Sequence, residues 1–297
     1  MQHRRLGRSG EPVSILGLGG FHLSRPEPAE AARIMHAAID HGITFFDNCW
    51  DYAEGESERR MGEALAGRRR DQVFLMTKID GRTAEAATRQ IEESLRRLRT
   101  DHVDLLQIHE VIHADDPDRV FSAGCYDALL RAREQGKTRF LGFTGHKSGA
   151  IHTAMLESAL RHGWTPDAVQ MPLNVMDAHR DDGFERIVLP LLLQHDIGVL
   201  GMKPMGDPFI LDSGTVSAPE ALRYTMSLPT SVTITGIDSM PILQQALDVL
   251  RDFRPFSPAE RDALLARTAQ ASQSGAHEKY KNSDHFDGTV KNPEWLG

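Results

Sequence analysis

A carboxylate, a phenol, an ammonium and an imidazole punctuate the first part of this chain: Asp47, Tyr52, Lys78 and His109. Three of them follow directly on apolar, strand-like runs. Phe45-Phe46 precede Asp47, Val73–Thr77 precede Lys78 and Val103–Ile108 precede His109, while Tyr52 lies in the loop that Asp47 opens. Residues at the ends of neighbouring strands meet at one rim of a sheet. There the four could pass a proton to a carbonyl oxygen. A free phenol, with a pKa of about 10, exchanges protons slowly near neutrality. Lys78 beside it would lower that value by favouring the phenolate. Asp47 would hold Lys78 charged and in place, and His109 would orient the substrate oxygen. Tyr52 would then deliver the proton while a hydride arrives at carbon. Singly, each residue has a plainer role as a cap, a solvated charge or a packing group. Their joint placement is what points to an oxidoreductase.

The elements that must position them repeat regularly. Apolar runs begin near Ile15, Ile43, Val73, Val103, Arg139, Asp167, Gly198 and Ser231, about 30 residues apart, the length of one strand–helix unit. Helical faces lie between them: Ile34, Met35, Ala38 and Ile39; Ala87, Ile91, Leu95 and Leu98; Phe184, Ile187, Val188 and Leu191; Leu243, Ala246, Leu247 and Leu250. Their i, i+3, i+4, i+7 spacing marks amphipathic helices, with Thr83 and Asp182 placed as N-caps. Eight such units predict a (β/α)8 TIM barrel over about residues 15–255, whose strands are apolar on both faces because helices cover them. A doubly wound sheet shares the alternation; the count and even spacing favour the barrel. His3–Ile15 reads as an N-terminal β-hairpin turning at Ser9-Gly10. Residues 256–297 read as a C-terminal helix and an extended tail packing over the barrel, all within one domain, 1–297.

The bulk composition narrows the function classes. A net charge of -8 gives no basic footprint for nucleic acid. No apolar run is long enough for a membrane span, and Met1–Gly7 shows no secretory pattern. Cys49 and Cys125 form no CxxC pair, which fits a reduced, cytoplasmic protein. His113 follows His109 at four residues, but in a loop rather than on a helix, so no metal site is expected. Oligomeric state is not readable.

At these residues the chain resembles the aldo-keto reductase family, and within it a bacterial subgroup with poorly defined substrates. The matching segments are Ile43–Tyr52, Leu75–Lys78, Asp104–His109, Gln135–Gly142 and Ala221–Pro229. The resemblance implies a (β/α)8 barrel, NADP(H) or NAD(H) bound without a dinucleotide-binding domain, and reversible carbonyl reduction of a small molecule. Gly17-Leu-Gly-Gly20 is followed by Phe21-His22, a poor dinucleotide fingerprint, in keeping with that.

The resemblance also implies cofactor residues. Gln170 matches a glutamine on the nicotinamide carboxamide, Thr144 stands where a serine does the same, and Gly145 replaces an asparagine, with His146 beside it. Gly20 matches a small or hydroxyl residue beneath the cofactor, and Asp47 is implied as a further cofactor contact. Met202 takes the place of a stacking aromatic; a thioether can pack on a flat ring. Lys203 takes a serine's place, within reach of the pyrophosphate. The segment Ile234–Pro241, with Gly236 and Asp238, faces the adenosine and brings no cation to a 2′-phosphate. Asp238 either accepts from a ribose hydroxyl, which would favour NAD(H), or caps the following helix, as Asp-Ser-Met-Pro suggests. Phe21, Cys49 and Trp50 are the expected substrate-pocket residues, under a mouth expected to be open. Two other functions share these residues: a cofactor-binding regulatory barrel with slow turnover, and a non-redox isomerase or lyase using Tyr52 and Lys78.

Overall fold

The computed structural model describes residues 1–297. Two short strands, β1 (His3–Arg5) and β2 (Pro12–Ser14), pair antiparallel across a 3-10 turn at Gly7–Ser9. Eight parallel strands then close into a barrel: β3 (Leu16–Gly19), β4 (Phe45–Asp47), β5 (Phe74–Ile79), β6 (Val103–Ile108), β7 (Thr138–Thr144), β8 (Ala168–Pro172), β9 (Gly198–Met202) and β10 (Val232–Gly236). Each starts within two residues of its expected position. Strand β10 returns to β3, with Thr233 beside Leu16.

Apolar contacts explain the closure. The strands' outward faces pack against helices such as Pro28–Asp40, Ala84–Leu98, Gly149–Arg161 and Met240–Arg251, around one large core. A second, smaller core fills the barrel itself: Phe45, Phe74, Met76, Leu105, Leu200, Val232 and Ile234, plugged from below by Leu6 and Val13 of the hairpin. Phe45, Phe74 and Phe140 stack there with ring planes tilted by only 13° and 12°. The hairpin thus seals the N-terminal end and leaves the C-terminal rim for chemistry. Arg4 fastens this seal by donating to the carbonyls of Met226, Leu228 and Thr230.

Helix starts follow local chemistry, with two differences from expectation. Thr83 caps Ala84–Leu98 by accepting from the Ala86 N–H. Asp182 does not cap the next predicted helix. Its first amides, Phe184 and Glu185, donate instead to Asp177, brought there by a short turn that sequence spacing does not register. Nor does Asp238 cap Met240–Arg251; the cap position is Ser239, without a side-chain bond.

The tail packs over the barrel, as expected, and it does so across the mouth. After the helix Pro258–Ser272 the chain runs back across the C-terminal rim in short turns. The buried Glu110 carboxylate accepts from the amides of Gly288 and Thr289 and from the Thr289 hydroxyl. Asp287 pairs with His146 and Lys147. Trp295 meets Trp50 edge-on, with ring centroids 5.5 Å apart. The mouth expected to be open is partly covered, because apolar and charged tail residues find partners on the loops after β4, β6 and β7.

Candidate active site

The four chemistry-bearing residues do converge at the C-terminal rim. Asp47 ends β4, Lys78 lies in β5, His109 follows β6 and Tyr52 opens the turn after β4. Lys78 is 1% exposed. Its Nζ donates to Asp47 Oδ1 at 2.5 Å, to the Asn48 carbonyl at 2.7 Å and to Tyr52 Oη at 3.3 Å. The His109 ring lies 6.0 Å from that of Tyr52, edge-on. Burial, and after it the Asp47 carboxylate, raises the Tyr52 pKa well above the ordinary phenol range. That reverses the lowering expected from Lys78: with Asp47 bonded to the ammonium, desolvation of the phenol dominates. The resting phenol therefore keeps its proton.

His109 is held from one side only. Its Nδ1 lies 2.9 Å from Asp80 Oδ1, 3.2 Å from Cys49 Sγ and 3.7 Å from Asp51 Oδ1, while Nε2 has no protein partner. Burial lowers the His109 pKa, against the pull of Asp51, and pushes Asp80 up to about 7. Beneath them Arg82, fully buried, binds Asp116 Oδ1 at 2.7 Å and donates to the carbonyls of Asp80, His109 and Glu110. It fixes the backbone on which His109 stands.

The expected cofactor residues fall along one side of this rim. Thr144 and Gln170 are register neighbours on β7 and β8. Gln170 donates from Nε2 to Asp47 Oδ2 at 3.3 Å, whereas its Oε1 and the Thr144 Oγ1 are buried without partners. Unpaired buried polar atoms are rare and call for a ligand or ordered water. Lys203, at a left-handed φ of 55°, has no carboxylate partner. Burial lowers its pKa to about 8, and its Nζ sits 4.1 Å from the Phe286 ring centroid. An unpaired amide oxygen, an unpaired hydroxyl and a half-buried cation without a carboxylate partner suit a nicotinamide carboxamide and a pyrophosphate. Met202, half-buried, ends β9 beside Pro172. Gly20 fits tightly over the Asp47 carbonyl and Asn48, and Gly236 lies under the His22 ring; a Cβ at either would collide. Gly145 is packed against the Val111 carbonyl and His152. His146 offers no replacement for the missing amide, being bonded to Asp287.

The structure supplies a cation that local sequence did not. Arg25, from the loop after β3, binds both oxygens of Asp207 at 2.8 and 2.9 Å and lies 3.9 Å from Asp238. His22 bonds Asp207 as well, at 2.7 Å.

Two substrate-pocket expectations need correcting. Cys49 is fully buried, its sulfur beneath His109 rather than in a pocket. Trp50 turns outward: its indole N–H donates to Glu93 and the Arg97 guanidinium lies over its ring, so it anchors the tail. Phe21 lies edge-on to Tyr52 at 5.3 Å and to Phe286 of the tail at 6.3 Å. Sequence reasoning missed Asp51, Asp80, Arg82, Glu110 and Phe286. Asp80 and Arg82 had a weak signal, as charged residues just beyond Lys78 after a buried strand; the others depend on distant contacts.

No helix is long and apolar enough to cross a membrane. Comparison with known proteins agrees with the fold. The chain is 26% identical over 284 residues to the uncharacterized oxidoreductase YqkF of Bacillus subtilis, covering 92% of this chain and 85% of that one. It is 30% identical over 224 residues to L-galactose dehydrogenase of Arabidopsis thaliana, covering 71% and 67%. In structure it superposes on an aldo-keto reductase from Bacillus halodurans in its holo form with a TM-score of 0.74, at 22% identity, covering 90% of this chain and 96% of that one. The sequence model of the Aldo/keto reductase family matches residues 15–258, and the chain belongs to that family.

Proposed function

We propose that this oxidoreductase reduces an aldehyde or ketone reversibly with Tyr52 as the general acid. The observation that carries the reading is the chain of contacts Asp47–Lys78–Tyr52, buried at the rim with an ammonium 3.3 Å from the phenol oxygen. When bound, the nicotinamide cofactor would supply a hydride to the carbonyl carbon. Gln170 and Thr144 would hold its carboxamide and Lys203 its pyrophosphate. Tyr52 gives its proton to the carbonyl oxygen, and Lys78 stabilises the phenolate left behind. His109 donates from Nε2 to the same oxygen and fixes its direction. Phe21 packs edge-on to both Tyr52 and Phe286 and would flank a substrate bound beside the phenol.

The test is net oxidation of NADPH or NADH with a panel of carbonyl compounds. Carbonyl turnover without net cofactor oxidation would favour the isomerase or lyase reading instead. The raised Tyr52 pKa also predicts a direction. The phenol stays protonated across neutrality, so its own ionisation should not slow reduction below about pH 10. Alcohol oxidation needs the phenolate and should quicken as pH rises. Matched pH profiles in the two directions check this.

For the adenosine end we propose weak discrimination between the two cofactors, because Asp238 and Arg25 offset each other. The expected ratio of dissociation constants is below about 100-fold, or under 3 kcal/mol. Asp238→Arg should pull the preference toward NADPH and Arg25→Ala toward NADH, both measured by titration at fixed moderate salt. Unchanged ratios in both variants would remove these residues from phosphate recognition.

A further inference from the structure

Three acidic groups crowd one nitrogen of His109, and that nitrogen can be served by only one hydrogen. Asp80 Oδ1, Cys49 Sγ and Asp51 Oδ1 all face Nδ1, while Asp80 Oδ2 and Asp51 Oδ1 are buried with no hydrogen-bond partner. Two buried carboxylates this close repel each other, and an added proton relieves the repulsion. We infer that Asp80 is a positioning residue for His109: the pair holds one proton between Oδ1 and Nδ1, and while that proton is held the imidazole keeps its own hydrogen on Nε2, the nitrogen left free to meet the substrate oxygen. This rests on the proposed role of Nε2 as a donor in carbonyl reduction.

The consequence follows from counting hydrogens. With the shared proton on the carboxyl, Asp80 donates to Nδ1 and Nε2–H remains. With it transferred to the ring, both nitrogens carry hydrogen and Nε2–H again remains. Once it is lost, the Asp80 carboxylate draws the single imidazole hydrogen to Nδ1, and Nε2 becomes an acceptor that repels the carbonyl oxygen. The pair titrates as a unit.

Every charged neighbour bears on where that happens. Burial and Asp51 hold the proton on; Arg82 and Lys78 of β5 favour its loss, and Asp116, bonded to Arg82, offsets part of that guanidinium's pull. Glu110, next in the chain, favours a charged ring. The result is a raised Asp80 and a change placed near neutrality, far below the ionisation of Tyr52.

The same four groups, Cys49, Asp51, Asp80 and His109, bring their donor atoms within 4.8 Å of one another, as a metal site would. Two features favour the proton. The Asp80–His109 separation of 2.9 Å is that of a hydrogen bond. Lys78 and Arg82 already place two positive charges beside the cluster, which disfavours a divalent ion.

The direct test is nitrogen NMR of the protein labelled with 15N-histidine, without cofactor or substrate, His109 being assigned by its absence in His109→Gln. Nε2 should carry hydrogen below neutrality and lose it to Nδ1 as pH rises through the neutral range. In Asp80→Asn the side-chain amide donates to Nδ1 at every pH, so Nε2 should keep its hydrogen throughout. In parallel, kcat/KM for carbonyl reduction should fall about tenfold per pH unit above the transition in the wild type, and that break should be missing in Asp80→Asn, whatever its absolute rate. An Nε2 hydrogen that persists at all pH values in the wild type overturns the proposal. So does one-to-one Co2+ binding with a thiolate absorption band lost in Cys49→Ser. A tautomer change in a protein that reduces no carbonyl supports the positioning and overturns only the functional reading.

Discussion

Tyr52→Phe is expected to lower kcat for carbonyl reduction by about 10²–10⁴-fold, the usual contribution of a general acid, while leaving cofactor affinity unchanged. The substitution removes one oxygen. Its Lys78 contact, at 3.3 Å, is the longest of the three that Lys78 makes, so the ammonium stays anchored by Asp47 and Asn48. The ring still packs edge-on against Phe21, so the pocket wall is preserved. The loss should therefore fall on kcat, with KM nearly constant, the pattern of an interaction made only in the transition state. Tryptophan fluorescence titration with cofactor and steady-state kinetics on the same preparation check both halves. A rate within threefold of wild type, at about 0.7 kcal/mol, would exclude Tyr52 as the acid.

Asp116→Ala is expected to destabilise the fold by about 3–5 kcal/mol, because it strands a fully buried guanidinium without its counter-ion. Asp116 and Arg82 are each 0% exposed. The carboxylate also accepts from the amides of Ile112 and His113 through its other oxygen, so the substitution orphans donors on both sides. Asp116→Asn keeps two hydrogen-bonding atoms but removes the charge, and should fall between wild type and Ala. Urea unfolding at equilibrium measures the series. A cost below about 1 kcal/mol for Ala would mean that water reaches Arg82. Because Arg82 also holds the carbonyls of Asp80, His109 and Glu110, any activity loss in this variant reports the seating of His109 rather than a chemical role of Asp116.

What could be read from the sequence and what could not divide along contact distance. Strand positions were legible because burial on both faces leaves apolar runs such as Val73–Met76, and three of the four chemistry-bearing residues stand at or just after strand ends. Caps were legible where the side chain is adjacent, as at Thr83, and misassigned where a residue several positions upstream folds back, as Asp177 does over Phe184. Arg25 was invisible as a partner of Asp238 because loops of neighbouring barrel strands join residues far apart in sequence. The tail was the least legible part. Phe286 and Asp287 sit in a polar, aperiodic stretch, and their roles appear only once Phe21, His146 and Lys147 stand beneath them. Tyr52 shows a further limit: its neighbours were identified, but the strength of burial, which reverses the effect of Lys78 on the phenol, has no sequence signature.

The pairing of β10 with β3 has a kinetic consequence. Leu16 must find Thr233 after nearly the whole barrel has been made, so the last ladder is also the one with the largest loop-closure entropy. Until then an emerging chain has two open sheet edges, and such edges template association between chains. Refolding yield should therefore fall with protein concentration more steeply than the stability of the finished barrel would suggest. Arg4, which clasps Met226, Leu228 and Thr230 from the first strand of the hairpin, can speed the meeting of the two ends only if it engages before the ladder does.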